Sequence, residues 1–209
     1  MFDLIALVKA AGYLGLFAII FAESGLFFGF FLPGDSLLFT AGFLASQGFL
    51  SIWPLVIILT LAAVLGDSTG YAFGAKVGRK IFYKEDSLFF NKNNIMRAQK
   101  FFEKHGRKTI ILARFVPAVR TFVPILAGVG GMNYRVFLTY NVFGGLLWAA
   151  GITLLGYFLG QSVPHAERYL LPIVAAIIFV SLLPTLAHVI RDREFRRALR
   201  DQIKKITGF

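Results

Sequence analysis

Four stretches of this chain, residues 4–22, 52–75, 134–160 and 169–190, are each apolar for about the 20 residues a helix needs to cross a bilayer. A chain built on such stretches folds in lipid. Every backbone polar group must then be satisfied within the chain, and an all-helical, polytopic membrane protein is expected. Composition agrees: 57% of the 209 residues are hydrophobic and only 16% are charged, where soluble domains carry about a quarter charged residues. Soluble enzymes, secreted disulfide scaffolds and disordered tails are thereby excluded. The chain has no cysteine, which removes thiol catalysis and iron–sulfur clusters. His105, His165 and His188 stand far apart in sequence, so neither a metal site nor a cofactor is expected. Phe21-Ala22-Glu23 lacks a small-x-small cleavage site, so the first stretch reads as a membrane segment and not as a signal peptide.

Two further apolar segments are broken. Residues 24–50 contain Gly25, Gly29, the Pro33-Gly34 pair, Gly42 and Gly48, and residues 109–131 contain Pro117, Pro124, Gly128, Gly130 and Gly131. Neither suits one straight helix, and each fits a re-entrant hairpin. Phe31-Leu32-Pro33 has a counterpart in Phe115-Val116-Pro117, and Ala41-Gly42 in Ala127-Gly128. Paired broken segments in corresponding halves point to an inverted repeat with a site near the bilayer midplane. Gly66, Gly70, Gly74 and Gly78 recur every four residues, a flat helical stripe for close packing within the chain or in a homodimer.

The net charge of +11 is concentrated in two places. Residues 76–108 hold ten Lys or Arg against three acids, and residues 191–209 hold seven against three. Both blocks flank apolar spans, the positive-inside pattern of cytoplasmic loops. Contact with anionic headgroups explains them, and no nucleic-acid motif accompanies the charge. With both broken segments re-entrant, two crossings separate the blocks, and the N- and C-termini are expected in the cytoplasm. Residues 1–190 then form the membrane domain, including the basic loop, and 191–209 a basic tail.

Five charges lie where lipid should be: Glu23, Asp35, Asp67, Arg114 and Arg120. An ionised group at the bilayer centre costs about 2.5–3.5 kcal/mol on insertion scales, so the unrelieved set would cost on the order of 10 kcal/mol. The acids belong to the first half and the arginines to the second, so pairing would bring the two broken segments face to face. Asp35 follows Pro33-Gly34 and suits a helix cap, Asp67 suits a neighbouring helix end, and Glu23 has no capping role to explain it. Arg114 and Arg120 flank Pro117 and suit two halves of a broken segment that converge on a phosphate or carboxylate. Arg135 and Arg168 sit near segment ends as interfacial anchors, and Trp53 and Trp148 read as lipid-belt or core residues. Two arginines against three acids leave one negative charge in excess. Glu23, Asp35 and Asp67 are therefore candidate proton carriers, coupled to an anionic headgroup at Arg114 and Arg120.

Glu23-Ser24-Gly25 with Phe31-Leu32-Pro33-Gly34-Asp35-Ser36, then Gly66-Asp67-Ser68-Thr69-Gly70-Tyr71, then Arg114-Phe115-Val116-Pro117-Ala118-Val119-Arg120-Thr121 with Gly128, resemble the three signatures of the DedA family. This group is also called SNARE-associated or VTT-domain, and the resemblance covers residues 10–160. It implies two facing re-entrant hairpins and lipid translocation or scrambling. It further implies dependence on the proton motive force in a bacterial inner membrane, an acidic pair at Glu23 and Asp35, and an arginine pair at Arg114 and Arg120. Undecaprenyl phosphate is the first expected cargo, and phosphatidylethanolamine or another phospholipid the alternative. A lipid phosphatase would need a histidine or metal near the arginines, so no enzyme is expected. A proton-coupled small-ion antiporter is the remaining rival, with no evident need for the arginines.

Overall fold

The computed structural model of the chain describes residues 4–25, 34–78 and 106–162, with positions 172, 173, 175, 176 and 179. Pro33, most of the basic stretch 76–108, the segment 169–190 and the tail lie largely or wholly outside the described residues, as do the three histidines. The described residues form helices and turns, without a strand. The helices are α1 (Leu4–Gly25), α2 (Gly34–Ser46), α3 (Ile52–Phe73), α4 (Thr109–Ala113), α5 (Pro117–Arg120), α6 (Phe122–Val129), α7 (Tyr134–Gly145) and α8 (Gly151–Ser162). Wider π turns, Gly74–Gly78 and Leu146–Ala150, extend α3 and join α7 to α8. Among the described residues, three continuous helical stretches are long and apolar enough to cross a membrane: Leu7–Gly25, Ile52–Lys76 and Tyr134–Ser162.

Local sequence explains where the chain turns. α3 follows an extended Ser51 and carries Pro54 in its first turn, where a missing N–H costs nothing. Asn133 caps α7 by accepting the Arg135 amide at 2.9 Å. α2 and α6 both close on a glycine with positive φ, 81° at Gly48 and 71° at Gly131. Each closure pairs the same two amides: Gly48 donates to Ala45 O and Phe49 to Leu44 O, as Gly131 does to Gly128 O and Met132 to Ala127 O. α1 bends at Gly12, whose φ is 57°.

The contacts give each helix a direction. Ser51 donates its amide to Tyr13 Oη at 2.8 Å, while Gly25 lies against Gly66 further along α3, so α1 and α3 run parallel. α2 and α8 are also parallel, with Gly42 against the Thr153 carbonyl and Ser46 against Gly160. The start of α1, the end of α2, the start of α3 and the end of α8 therefore share one end of the molecule. Lys76 and the start of α7 mark the other. From there the chain leads inward through α4, where Ile110 packs with Phe137 and Arg114 reaches Gly144. It returns through α6 to Met132, whose carbonyl accepts the Tyr71 hydroxyl.

This corrects one expectation. The N-terminus was expected on the same side as the basic stretch, but α1 begins at the Ser51 end, opposite Lys76. The expectation took residues 4–22 as a full crossing and 24–50 as the hairpin, whereas α1 leads in from the Ser51 end and α2 leads back to it, so α1 and α3 run the same way.

The glycine stripe is taken up inside the chain. Gly66 packs on Phe21, Ser24 and Gly25 of α1, and Gly70 and Gly74 pack on Pro124 and Ile125 of α6. It therefore offers no argument for a homodimer. The outward face of α3 carries Trp53, Ile57, Leu61 and Leu65 instead, all exposed, while Asp67 is buried. Among the described residues, apolar clusters form on either side of the buried charges. One gathers Leu16, Ile20, Leu37, Leu55, Leu59 and Trp148. Another gathers Ile110, Ala113, Val123, Ala127 and Phe137.

Candidate functional site

The buried charges join these two clusters. Glu23 and Asp35 lie near Ile20 and Leu37 of the first, and Arg114 and Arg120 flank the segment between Ala113 and Val123 of the second. Among the described residues, each ion pair runs from an acid of the first half to an arginine of the second, as the cost of isolated charge in lipid demands.

Arg120, at the end of α5, holds two acids. Its Nη2 pairs with Glu23 Oε1, and its Nη1 donates to Asp35 Oδ1 at 2.9 Å. Glu23 is fully buried on α1, and Asp35 stands in the first turn of α2, where the helix dipole favours negative charge. Glu23 has a capping role after all, but for another helix: its Oε1 accepts the amide of Gly34, the first residue of α2, at 3.1 Å. A Cβ on Gly34 would fall on that carboxylate, so only glycine allows the approach. Asp35 was expected to cap a helix starting at Ser36, but α2 starts at Gly34 and Asp35 lies within its first turn, where its Oδ1 also accepts the Trp148 indole N–H at 2.7 Å.

Arg114 has a separate set of partners. Its Nη2 donates to Asp67 Oδ2 at 2.5 Å, to Asn141 Oδ1 and to the Ala63 carbonyl at 3.4 Å. Asn141 in turn donates to Val64 O at 2.9 Å, tying α7 to α3. Gly144 and Gly145 of α7 lie against the Arg114 side chain, and a Cβ on Gly144 would meet its Cδ at 2.9 Å. Asp67 is thus not a helix-end partner but the counter-ion of Arg114.

The five charges therefore divide. The Asp67–Arg114 pair is neutral, and the excess negative charge falls on the group of Glu23, Asp35 and Arg120. The two arginines do not share one acid. They share Trp148, whose ring centroid lies 4.9 Å from Arg120 Cζ and 5.9 Å from Arg114 Cζ. Pro117 opens α5, so the break it makes separates the two arginines and lets each face its own partners. Pro33 lies outside the described residues. Among the described residues, no three His, Asp or Glu side chains are arranged to hold a metal ion.

Trp148 and Asn141 are the two site residues that sequence reasoning missed. Trp148 lies in a uniformly apolar run, and nothing in that run signals that the π turn Leu146–Ala150 aims it inward. Asn141 did carry a signal: an amide in mid-span needs a hydrogen-bond partner within the bundle. Arg135 is exposed at the start of α7, and Trp53 is 71% exposed, as expected of interfacial residues.

Comparison with known proteins gives the chain's family. The VTT domain model matches residues 32–158, which take in four of the five buried charges. Protein DedA of Escherichia coli is 46% identical over 183 residues, covering 87% of this chain and 83% of its own. An uncharacterised membrane protein of Mycobacterium tuberculosis is 50% identical over 185 residues, covering 88% of this chain and 81% of its own. The inner membrane protein YghB of Escherichia coli is 36% identical over 188 residues, covering 87% and 85%. No solved structure matches the chain. On its motifs, its helices and these relatives, the chain belongs to the DedA, or VTT-domain, family of membrane proteins.

Proposed function

We propose that this protein is a lipid translocase of a bacterial inner membrane, driven by the proton motive force, that moves a phosphate-bearing headgroup across the bilayer. The observation that carries the reading is Arg120, buried in the membrane domain between two acids, Glu23 and Asp35. A guanidinium stays charged when desolvated and binds phosphate through paired N–H groups. The surplus acid beside it gives a proton somewhere to bind when phosphate competes for the arginine. Polyprenyl phosphate, of which undecaprenyl phosphate is the bacterial form, fits best, because its single phosphate needs a cation and its chain can stay in lipid. Phosphatidylethanolamine is the second reading, favoured by the same surplus charge, since its ammonium would meet an acid while its phosphate meets Arg120.

The role fits a fold read as two facing re-entrant hairpins, the first formed by α1 with α2 in place of residues 24–50 alone, the second by residues 106–132. The start of α1 and the end of α2 share one end of the molecule, while residues 106–132 leave and return to the other. The packing is reciprocal: α2 of the first half rests on α8 of the second, and α6 of the second on α3 of the first. That is the pattern of an inverted repeat with its site at the meeting point. The basic stretch after Lys76 faces the cytoplasm on the positive-inside rule. On this reading the protein moves lipid, as a carrier or a scramblase, and does no covalent chemistry on it.

Purified protein in vesicles containing either labelled polyprenyl phosphate or labelled phosphatidylethanolamine provides the test, read by headgroup accessibility with and without a pH gradient. Movement of one lipid, faster with the gradient and lost in Arg120→Gln, is expected. Indifference to the gradient would remove the coupling, and no movement of either lipid would overturn the reading.

A further inference from the structure

Glu23 stands where the charge of a ligand would stand. Its Oε1 takes both the Gly34 amide, at the start of the 13-residue helix α2, and the Arg120 guanidinium. A helix-terminal amide beside a guanidinium is the combination that binds a phosphate oxygen. Here the position is filled by a carboxylate from another helix, and the missing Cβ of Gly34 is what leaves room for it. The position is built to hold more than one small acid. Arg120 Nε and Glu23 Oε2 are both buried without a hydrogen-bond partner, and so is the adjacent Thr121 Oγ1. Buried donors and acceptors of this kind are costly unless a further polar group meets them in some state of the protein.

We infer that the Gly34 amide and Arg120 form an anion seat, that Glu23 is its built-in occupant, and that a lipid phosphate takes the seat when Glu23 is neutralised or withdrawn. The inference rests on the translocase reading for its ligand and deepens it by locating the phosphate. It assigns the seat to one arginine instead of two. Arg114 lies in the neighbouring neutral pair, with Asp67, Asn141 and the Ala63 carbonyl on its guanidinium. The charged groups facing Glu23 are Arg120 from α5 and, across that guanidinium, Asp35 from α2; the Asp67–Arg114 pair joins α3 to α4 alongside. Occupation by carboxylate and by phosphate is mutually exclusive, so proton uptake by Glu23 and headgroup binding favour each other.

The test measures equilibrium binding of farnesyl phosphate to the full chain in detergent micelles, with inorganic phosphate as a competitor. Wild-type affinity should rise on acidification. Glu23→Gln should bind about tenfold more tightly at neutral pH, the order expected when one charged competitor leaves a charge-assisted bond, and should lose the pH dependence. Glu23→Asp keeps the charge but falls a methylene short of the Gly34 amide, so it should bind more tightly than wild type. Arg120→Gln should not bind. Should Glu23→Gln fail to fold, the Glu23→Asp variant and the wild-type pH series decide the matter. Affinity unchanged in folded Glu23 variants and flat with pH overturns the seat. Inorganic phosphate competing as well as the prenyl phosphate overturns its assignment to a lipid. Tighter binding in the variants, with no lipid movement by wild-type vesicles, would leave the seat standing and remove the transport reading. Lipid movement with binding indifferent to Glu23 would do the reverse.

Discussion

Arg114 and Arg120 carry the same charge six positions apart, yet their surroundings set them different tasks. Arg114 is balanced by Asp67 alone, whereas Arg120 faces both Glu23 and Asp35. Removing one member of a buried pair leaves an uncompensated charge and costs about 3–5 kcal/mol, while replacing both with apolar groups is often close to neutral. Arg114→Leu should therefore destabilise the protein by about 3 kcal/mol or more, and adding Asp67→Leu should recover most of that loss, read by unfolding in detergent. A double variant no more stable than the worse single one would show that the pair is not self-contained. Arg120 has no such partner whose removal would rescue it. The five charges were legible in the sequence because lipid makes each one costly. That acids of the first half meet arginines of the second was legible too; which acid meets which arginine was not, because a spacing along the chain does not encode a meeting across it. Trp148 was hidden for a related reason: its indole N–H acts only because the backbone turns it toward Asp35.

The elements cross closely enough that backbone meets backbone. Gly42 of α2 lies against the Thr153 carbonyl, and Gly156 of α8 against the Phe39 carbonyl, so each helix offers a glycine to the other. A methyl at Gly156 would press on a main-chain carbonyl that has little freedom to move. Gly156→Ala should destabilise the protein by about 1–3 kcal/mol, the usual cost of overpacking. It should also shift α2 and loosen the Trp148–Asp35 bond. In a Trp53→Phe background the emission of Trp148 reports that change, and an unaltered spectrum and melting temperature would refute it. The broken character of the segment around Pro117 was legible from its glycines and prolines. The stripe through Gly66 was legible as a packing face, but its partners, α1 and α6, were not, since a small-residue face fits any flat surface. The π turns left no mark in sequence at all.

At the level of the whole molecule, the direction of α1 separates what charge patterns reveal from what they do not. Positive blocks locate loops relative to crossings only when the number of crossings is known, and a helix that leads in and returns through its neighbour alters that number. A chain with no native cysteine is suited to the test. Single cysteines at the exposed positions Lys9, Gln47 and Lys108 should divide into two groups when membrane vesicles meet an impermeant thiol reagent. Lys9→Cys and Gln47→Cys should react from one side and Lys108→Cys from the other. Lys9→Cys reacting together with Lys108→Cys would refute the parallel arrangement of α1 and α3. The long reach of the ion pairs also bears on biosynthesis. Arg120 lies 85 residues beyond Asp35 and emerges from the ribosome much later. Until then Glu23 of α1 and Asp35 of α2 lack the arginine they pair with, and lipid is a poor resting place for ionised carboxylates. The charge of the first half is therefore balanced only once the second half has been made, so the order of synthesis and the order of charge pairing are tied together.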